Sequence, residues 1–142
     1  MNNSSPLYYT FTVHGNDFSS AGEASVEVKK ILRSIGFDAD VIRRVSIAMY
    51  EAEINMVIHA GGGIAEVFVH PDKIVIVLTD KGPGIADIEL AMSEGYSTAP
   101  DNIRSLGFGA GMGLPNIKRY SDELDIQSKL GEGTKLTITV KP

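Results

Sequence analysis

Ile64-Ala65-Glu66-Val67-Phe68-Val69-His70-Pro71-Asp72-Lys73-Ile74-Val75-Ile76-Val77-Leu78-Thr79-Asp80-Lys81-Gly82-Pro83-Gly84 contains two strand-like runs, a short break between them and a polar, glycine-bearing exit. Both runs are rich in β-branched residues, and His70-Pro71-Asp72 leaves room only for a tight turn. The stretch therefore reads as a β-hairpin. Strands that follow one another this closely pair antiparallel, whereas a doubly wound α/β protein separates successive strands by crossover helices.

The flanking sequence keeps to that plan. Leu7 to Val13 is a first strand, ended by the turn formers His14-Gly15-Asn16-Asp17. From Phe18 to Ile35 apolar residues recur at three and four, and Gly36 follows as a C-cap, which predicts a helix. A second helix starts at Asp38 or Asp40 and runs to about Ala60, before Gly61-Gly62-Gly63. Ile85 to Glu94 reads as a short helix, Gly95 to about Gly111 as a long glycine-bearing loop, and Met112 to Tyr120 as a last helix. Glu123 to Leu130 and Thr134 to Lys141 are strands joined by Gly131-Glu132-Gly133. The order predicts an α+β, two-layer sandwich: a mixed, mostly antiparallel sheet with helices on one face. No repeat, linker or low-complexity segment divides residues 1–142, so a single domain is expected, with residues 1–6 flexible.

Composition narrows the function classes. With 142 residues, 43% hydrophobic and 22% charged, the chain can bury a core without staples. It has no cysteine, which excludes disulfides and thiolate metal sites. Met1 to Pro6 lacks the basic and apolar segments of a secretory leader, and no run approaches a membrane span, so a cytoplasmic location is expected. A net charge of −5 argues against general nucleic-acid binding. It does not argue against a nucleotide, whose phosphates can be held by backbone N–H groups and a metal ion.

Two stretches point to such a ligand. Asp80-Lys81-Gly82-Pro83-Gly84 places a carboxylate at a strand end, suited to accept hydrogen bonds from an exocyclic amine such as that of adenine. Gly107-Phe108-Gly109-Ala110-Gly111-Met112-Gly113-Leu114 opens a helix, where free N–H groups and the helix dipole favour an anion. Neither stretch fits the commoner nucleotide motifs. A dinucleotide fingerprint belongs in the first βα turn, and there is no Gly-x-x-x-x-Gly-Lys-[Ser/Thr].

The second helix carries the remaining chemistry. At 100° per residue Arg43, Ser46, Tyr50 and Glu53 share one side, read as the solvent face, with Val41, Val45, Met49, Ala52 and Met56 opposite and Ile47, Ile54 and Ile58 forming a second apolar edge. Glu51 and Asn55, four apart, lie between the two apolar arcs, and His59 follows one turn later. A carboxylate among apolar neighbours must find a partner or take a raised pKa, and either suits a general base or a water-orienting group. An amide oxygen one turn away is a hard ligand for Mg²⁺.

The order Glu51-x-x-x-Asn55, Asp80-x-Gly82-x-Gly84, Gly109-x-Gly111-x-Gly113-Leu114 and Gly131-x-Gly133-Thr134 resembles the four nucleotide-binding boxes of the GHKL superfamily: gyrase, heat-shock chaperone, histidine kinase and MutL. The resemblance spans roughly residues 8–141 and implies the Bergerat ATP-binding fold. Glu94-Gly95-Tyr96-Ser97-Thr98 and Gly113-Leu114-Pro115-Asn116-Ile117-Lys118-Arg119 are similar to the bacterial anti-sigma-factor serine kinases and their switch-kinase relatives. Carried over, the resemblance makes Glu51 the catalytic base and Asn55 the Mg²⁺ ligand. Asp80 receives the adenine amine with Thr134 in support, Gly82 and Gly84 allow the chain close to the adenosine, and Gly109, Gly111, Met112, Gly113 and Leu114 serve the phosphates. Residues 95–111 then correspond to an ATP lid.

The implied activity is an ATP- and Mg²⁺-dependent serine/threonine protein kinase of the partner-switching type. It would phosphorylate a small antagonist of the anti-anti-sigma type and hold a sigma factor or other regulator, without direct nucleic-acid or membrane contact; a homodimer is left open. Two alternatives stand beside it: an ATP-sensing interaction module with little turnover, and the stand-alone ATPase domain of a two-component system. His14, His59 and His70 do not sit in a dimerising helical hairpin, which disfavours an autophosphorylating histidine kinase, and His59 reads as a packing residue rather than a catalyst. Arg104, Lys118 and Arg119 are cations that reach either a ligand or only solvent.

Overall fold

The computed structural model describes residues 6–15, 19, 21–85 and 113–142. Along these residues run β1 (Leu7–His14), α1 (Glu23–Ile35), α2 (Ala39–Asn55), a π-helical turn (Met56–Ala60), β2 (Gly62–His70), β3 (Lys73–Thr79), α3 (Gly113–Tyr120), β4 (Glu123–Lys129) and β5 (Gly133–Val140). The expected helix over 85–94 falls, apart from Ile85, outside the described residues, as do the lid over 95–111 and the first five residues.

The five strands form one sheet in the order β1-β2-β3-β5-β4. Every pairing is antiparallel, so the mixed sheet allowed by the sequence resolves to a wholly antiparallel one among the described strands. Alternation decides which face is buried: Ala65, Val67 and Val69 on β2, Ile74, Ile76 and Leu78 on β3, and Leu136, Ile138 and Val140 on β5 all point into the core. The register stacks them, with Val67 opposite Ile76 and Ile76 opposite Ile138. Leu32 of α1, Val45 and Met49 of α2 and Ile117 of α3 close the core from the helical side. Burying each such side chain contributes roughly 1.5–3 kcal/mol.

Two helical boundaries differ from expectation. The first helix begins at Glu23 rather than Phe18, because Gly22 takes a left-handed conformation (φ 96°) that no helix continues through. The second does not run on as α-helix to Ala60. Past Asn55 it widens into the π turn, which ends at left-handed Gly61 (φ 73°), whose N–H donates to the Met56 carbonyl five residues back. Insertions of this kind recur at functional sites.

Helices α2 and α3 pack against each other, held at two points near the start of α2. The Arg43 guanidinium lies over the Tyr120 ring at 5.5 Å from its centroid. Arg44 donates to Asp40 (3.0 Å), to Asp122 (2.9 Å) just past α3, and to the Lys141 carbonyl (2.7 Å) just past β5, tying helix, turn and strand end together. No described helix is long and apolar enough to cross a membrane.

Candidate functional site

Asp80 leaves β3 at the point where its backbone still pairs with β5: its N–H donates to the Thr134 carbonyl at 3.0 Å. Its side chain is fixed twice through the same oxygen, Oδ1, which accepts from the Gly82 N–H (2.9 Å) and the Thr134 N–H (3.1 Å). Both bonds leave the carboxylate oriented by backbone rather than by a mobile side chain. Thr134 is held in turn, since its hydroxyl lies 2.9 Å from that of Ser128, which accepts the Ile85 N–H at 2.7 Å. Ser128 is a member of this cluster that sequence reading did not single out. Its only signal was its place five residues before Gly133 on a strand bordering the glycine turn.

The glycines here answer to close approach. A Cβ on Gly82 would lie 2.7 Å from both Cα and Cβ of Ala60, at the end of the π turn. A Cβ on Gly133 (φ 128°) would run into the Asp80 carbonyl. These contacts bring two of the sequence boxes together: the Asp80 loop rests directly on the end of the helix that carries Glu51 and Asn55. Gly84, left-handed at φ 80°, packs against the Lys129 carbonyl at the end of β4.

Glu51 and Asn55 both stand half-buried on the last turns of α2, as the helical spacing requires. Burial pushes the Glu51 carboxyl above the usual carboxylate range, and a hydrogen bond from the Asn116 side chain on α3 opposes that rise. Both outcomes expected of a carboxylate among apolar neighbours are present in one residue. Asn116, not marked as a candidate in the sequence, sits three residues past Gly113, so α3 approaches the α2 site with its first turn. His59 is half-buried in the π turn, and burial lowers its pKa, favouring the neutral ring. Lys118 and Arg119 are exposed on α3.

Glu53 overturns the solvent-face reading. It is only 2% exposed, and its carboxyl accepts the N–H groups of Gly22 (2.8 Å), Ala24 (3.2 Å) and Ser25 (3.1 Å). These are the free amides at the start of α1, so a carboxyl on one helix caps another. Arg43 and Tyr50 remain exposed as expected.

Of the sequence-predicted site residues, Glu51, Asn55, Asp80, Gly82, Gly84, Gly113, Leu114 and Thr134 are placed, and Gly109, Gly111, Met112 and Arg104 lie outside the described residues. Among the described residues no group of three or more His, Asp or Glu could hold a metal ion. A divalent ion at Asn55 would take most of its oxygens from phosphates and water, which is how Mg²⁺ is ordinarily bound beside nucleotides.

The family model of the histidine kinase-like ATPase domain matches residues 16–140. The chain belongs to that family. Within it, the chain is 32% identical to the serine/threonine-protein kinase RsbT of Bacillus subtilis, over 76% of this chain and 78% of that one. It is 34% identical to the anti-sigma F factor of Clostridium beijerinckii, over 83% of each chain. A crystal structure of the RsbU and RsbW domains of Rv1364c from Mycobacterium tuberculosis shares the fold, with a TM-score of 0.64 at 17% identity. That likeness covers 95% of this chain and 32% of the longer one.

Proposed function

We propose that this chain is an ATP- and Mg²⁺-dependent serine/threonine protein kinase of the partner-switching type, acting on a small antagonist protein and binding a sigma factor or similar regulator. One observation carries the reading: the backbone-fixed Asp80 carboxylate rests, through Gly82 and Ala60, on the end of the helix that presents Glu51 and Asn55. One end of that arrangement suits a base-pairing edge and the other suits phosphates. The relatives named as a serine/threonine kinase and an anti-sigma factor support the same class.

In this reading Asp80 Oδ1 is occupied by its two backbone donors, and the other oxygen accepts the adenine amine. Thr134, locked to Ser128, fixes the floor of that pocket. The Asn55 amide oxygen would hold a Mg²⁺ ion, which would supply charge neutralisation to the phosphates. Glu51 takes the proton of the attacking serine or threonine hydroxyl; the hydroxyl oxygen bonds to the γ-phosphorus as the bond from phosphorus to the β,γ-bridging oxygen breaks, and ADP leaves. A raised carboxyl pKa suits this work, because a base is best matched when its pKa lies nearer the working pH. Little covalent chemistry is asked of the protein, since positioning and charge neutralisation supply most of the acceleration.

Incubation with γ-labelled ATP, Mg²⁺ and a candidate antagonist protein of the anti-anti-sigma type tests the proposal. The expected product is acid-stable phosphoserine or phosphothreonine on the antagonist, absent with Glu51→Ala. Acid-labile label on a partner histidine would replace this reading with the two-component ATPase. Tight ATP binding with neither transfer nor hydrolysis would replace it with the sensing module.

A further inference from the structure

At one end of the sheet the apolar pattern of its helical face gives way to hydroxyls. On β4, Leu124 and Ile126 pack against the core and Ser128 comes next on the same face; on β5, Ile138 and Leu136 do so and Thr134 comes next. Ser128 and Thr134 are half-buried and stand directly opposite each other across the two strands. On the other side of β5 is Asp80, whose N–H donates to the Thr134 carbonyl (3.0 Å) and whose Oδ1 accepts the Thr134 N–H (3.1 Å). A carboxylate and two hydroxyls therefore lie in a row at the ends of three neighbouring strands.

The protons in this row can be counted. A hydroxyl has one proton to give and two lone pairs with which to accept. Ser128 Oγ accepts the Ile85 N–H at 2.7 Å, and it lies 3.2 Å from the Gly133 carbonyl oxygen and 2.9 Å from Thr134 Oγ1. A carbonyl only accepts, so the contact to Gly133 requires the Ser128 proton. The second lone pair of Ser128 is then left for the Thr134 proton, and all three contacts are hydrogen bonds. The reverse arrangement, with Ser128 donating to Thr134, forfeits the bond to Gly133. Having given its proton to Ser128, Thr134 Oγ1 meets a ligand as an acceptor. Asp80 is an acceptor as well, with Oδ1 taken by two amides and Oδ2 outside both bonds. Two adjacent acceptors suit an exocyclic amine, which carries two N–H groups, and repel a carbonyl oxygen.

We propose that Ser128 determines base specificity: by taking the Thr134 proton it holds Thr134 as an acceptor beside Asp80, so that the site takes a 6-aminopurine and refuses a 6-oxopurine. The proposal rests on the reading of Asp80 as the carboxylate that receives the base. Ser128 acts through Thr134 and is a positioning residue.

A purely structural role is the alternative, in which the cross-strand Ser–Thr pair only closes the end of the sheet. Calorimetric titrations of the full chain with Mg²⁺–ATP and with Mg²⁺–ITP, whose base carries a 6-oxo group in place of the amine, separate the two. The wild type is expected to favour ATP. Ser128→Ala removes the acceptor and releases the Thr134 proton toward a carbonyl, so the ATP-to-ITP affinity ratio should fall about 10-fold, the size of one hydrogen bond. Ser128→Cys keeps the volume but accepts weakly; its ratio should fall part of the way, and it is read alone if thermal denaturation shows Ser128→Ala to be unfolded. Ser128→Thr, which keeps the hydroxyl, should retain the ratio. In a Thr134→Val background the same Ser128 substitutions should leave the ratio where Thr134→Val sets it. A structural residue would instead lower stability and both affinities together, so an unchanged ratio in the folded Ser128 variants would overturn the proposal and leave the reading of Asp80 standing. Equal affinities for ATP and ITP in the wild type, or an unchanged ratio in Asp80→Asn, would overturn the reading of Asp80, and the proposal with it.

Discussion

Glu51 and Glu53 are two residues apart on one helix and have opposite fates. Glu53 is enclosed and accepts three backbone amides at the start of α1. Glu51 is half-buried, its carboxyl raised by burial against the opposing influence of Asn116. A carboxyl whose acceptor capacity is taken up by rigid amides holds structure in place. One that is partly desolvated and partly unpaired is poised to accept a proton. The comparison teaches that burial alone does not mark a functional acid; what matters is how much of its hydrogen-bonding capacity the fold has consumed.

The largest effect should come from the structural member. Glu53→Ala strands three buried N–H groups and should cost about 3 kcal/mol in urea denaturation. Glu53→Gln, which keeps one acceptor oxygen, should cost less. Next in size, Gly82→Ala forces the Asp80 loop away from Ala60 and should weaken ATP binding about 10-fold by calorimetry, a loss of about 1.4 kcal/mol, without a comparable loss of stability. Arg44→Ala, remote from both glutamates, removes three ties and should cost about 1 kcal/mol in the same denaturation assay, with ATP affinity unchanged.

The smallest effect is the most diagnostic of the contrast. Because burial raises the Glu51 carboxyl in the folded state, the folded chain keeps that proton to higher pH than the unfolded chain. Stability is therefore lost as pH rises from the ordinary carboxylate range through the raised value, and the loss is complete above it. Glu51→Gln removes that penalty, so its melting temperature should exceed the wild type's at neutral pH and match it in acid. A variant that is less stable at neutral pH would place Glu51 with Glu53 as a structural group.

Much of this could be read before any coordinates. The hairpin pattern predicts the antiparallel sheet, whereas the buried face emerges only in the structure, because Ile74 to Leu78 is apolar at every position. The four-residue spacing of Glu51 and Asn55 puts them on one side of α2, and Asp80 does lie within hydrogen-bonding reach of Gly82 and Thr134. What escaped depends on contacts between elements. A helical wheel assigns Glu53 to the face of Arg43 and Tyr50, but it cannot show that α1 begins over that face. Gly22 is the local trace of this, since a Cβ there would lie 2.8 Å from the Tyr50 ring. The π turn escaped because an i→i+5 bond and a shared Met56 N–H, bonded to both Ala52 and Glu53 carbonyls, leave no periodic signature in so short a segment. Asn116 and Ser128 escaped because their partners lie on other elements of the chain.

The central claim is that Glu51 does chemistry and Glu53 does not. It is tested most directly by single-turnover transfer of γ-labelled phosphate from Mg²⁺–ATP with Glu51→Gln and Glu53→Gln side by side, each normalised to its folded, ATP-binding fraction. The account predicts a fall of about 10²–10⁴-fold in the transfer rate for Glu51→Gln with binding retained, and a near wild-type rate per folded molecule for Glu53→Gln. Equal rates in the two variants, or a wild-type rate in Glu51→Gln, would contradict it.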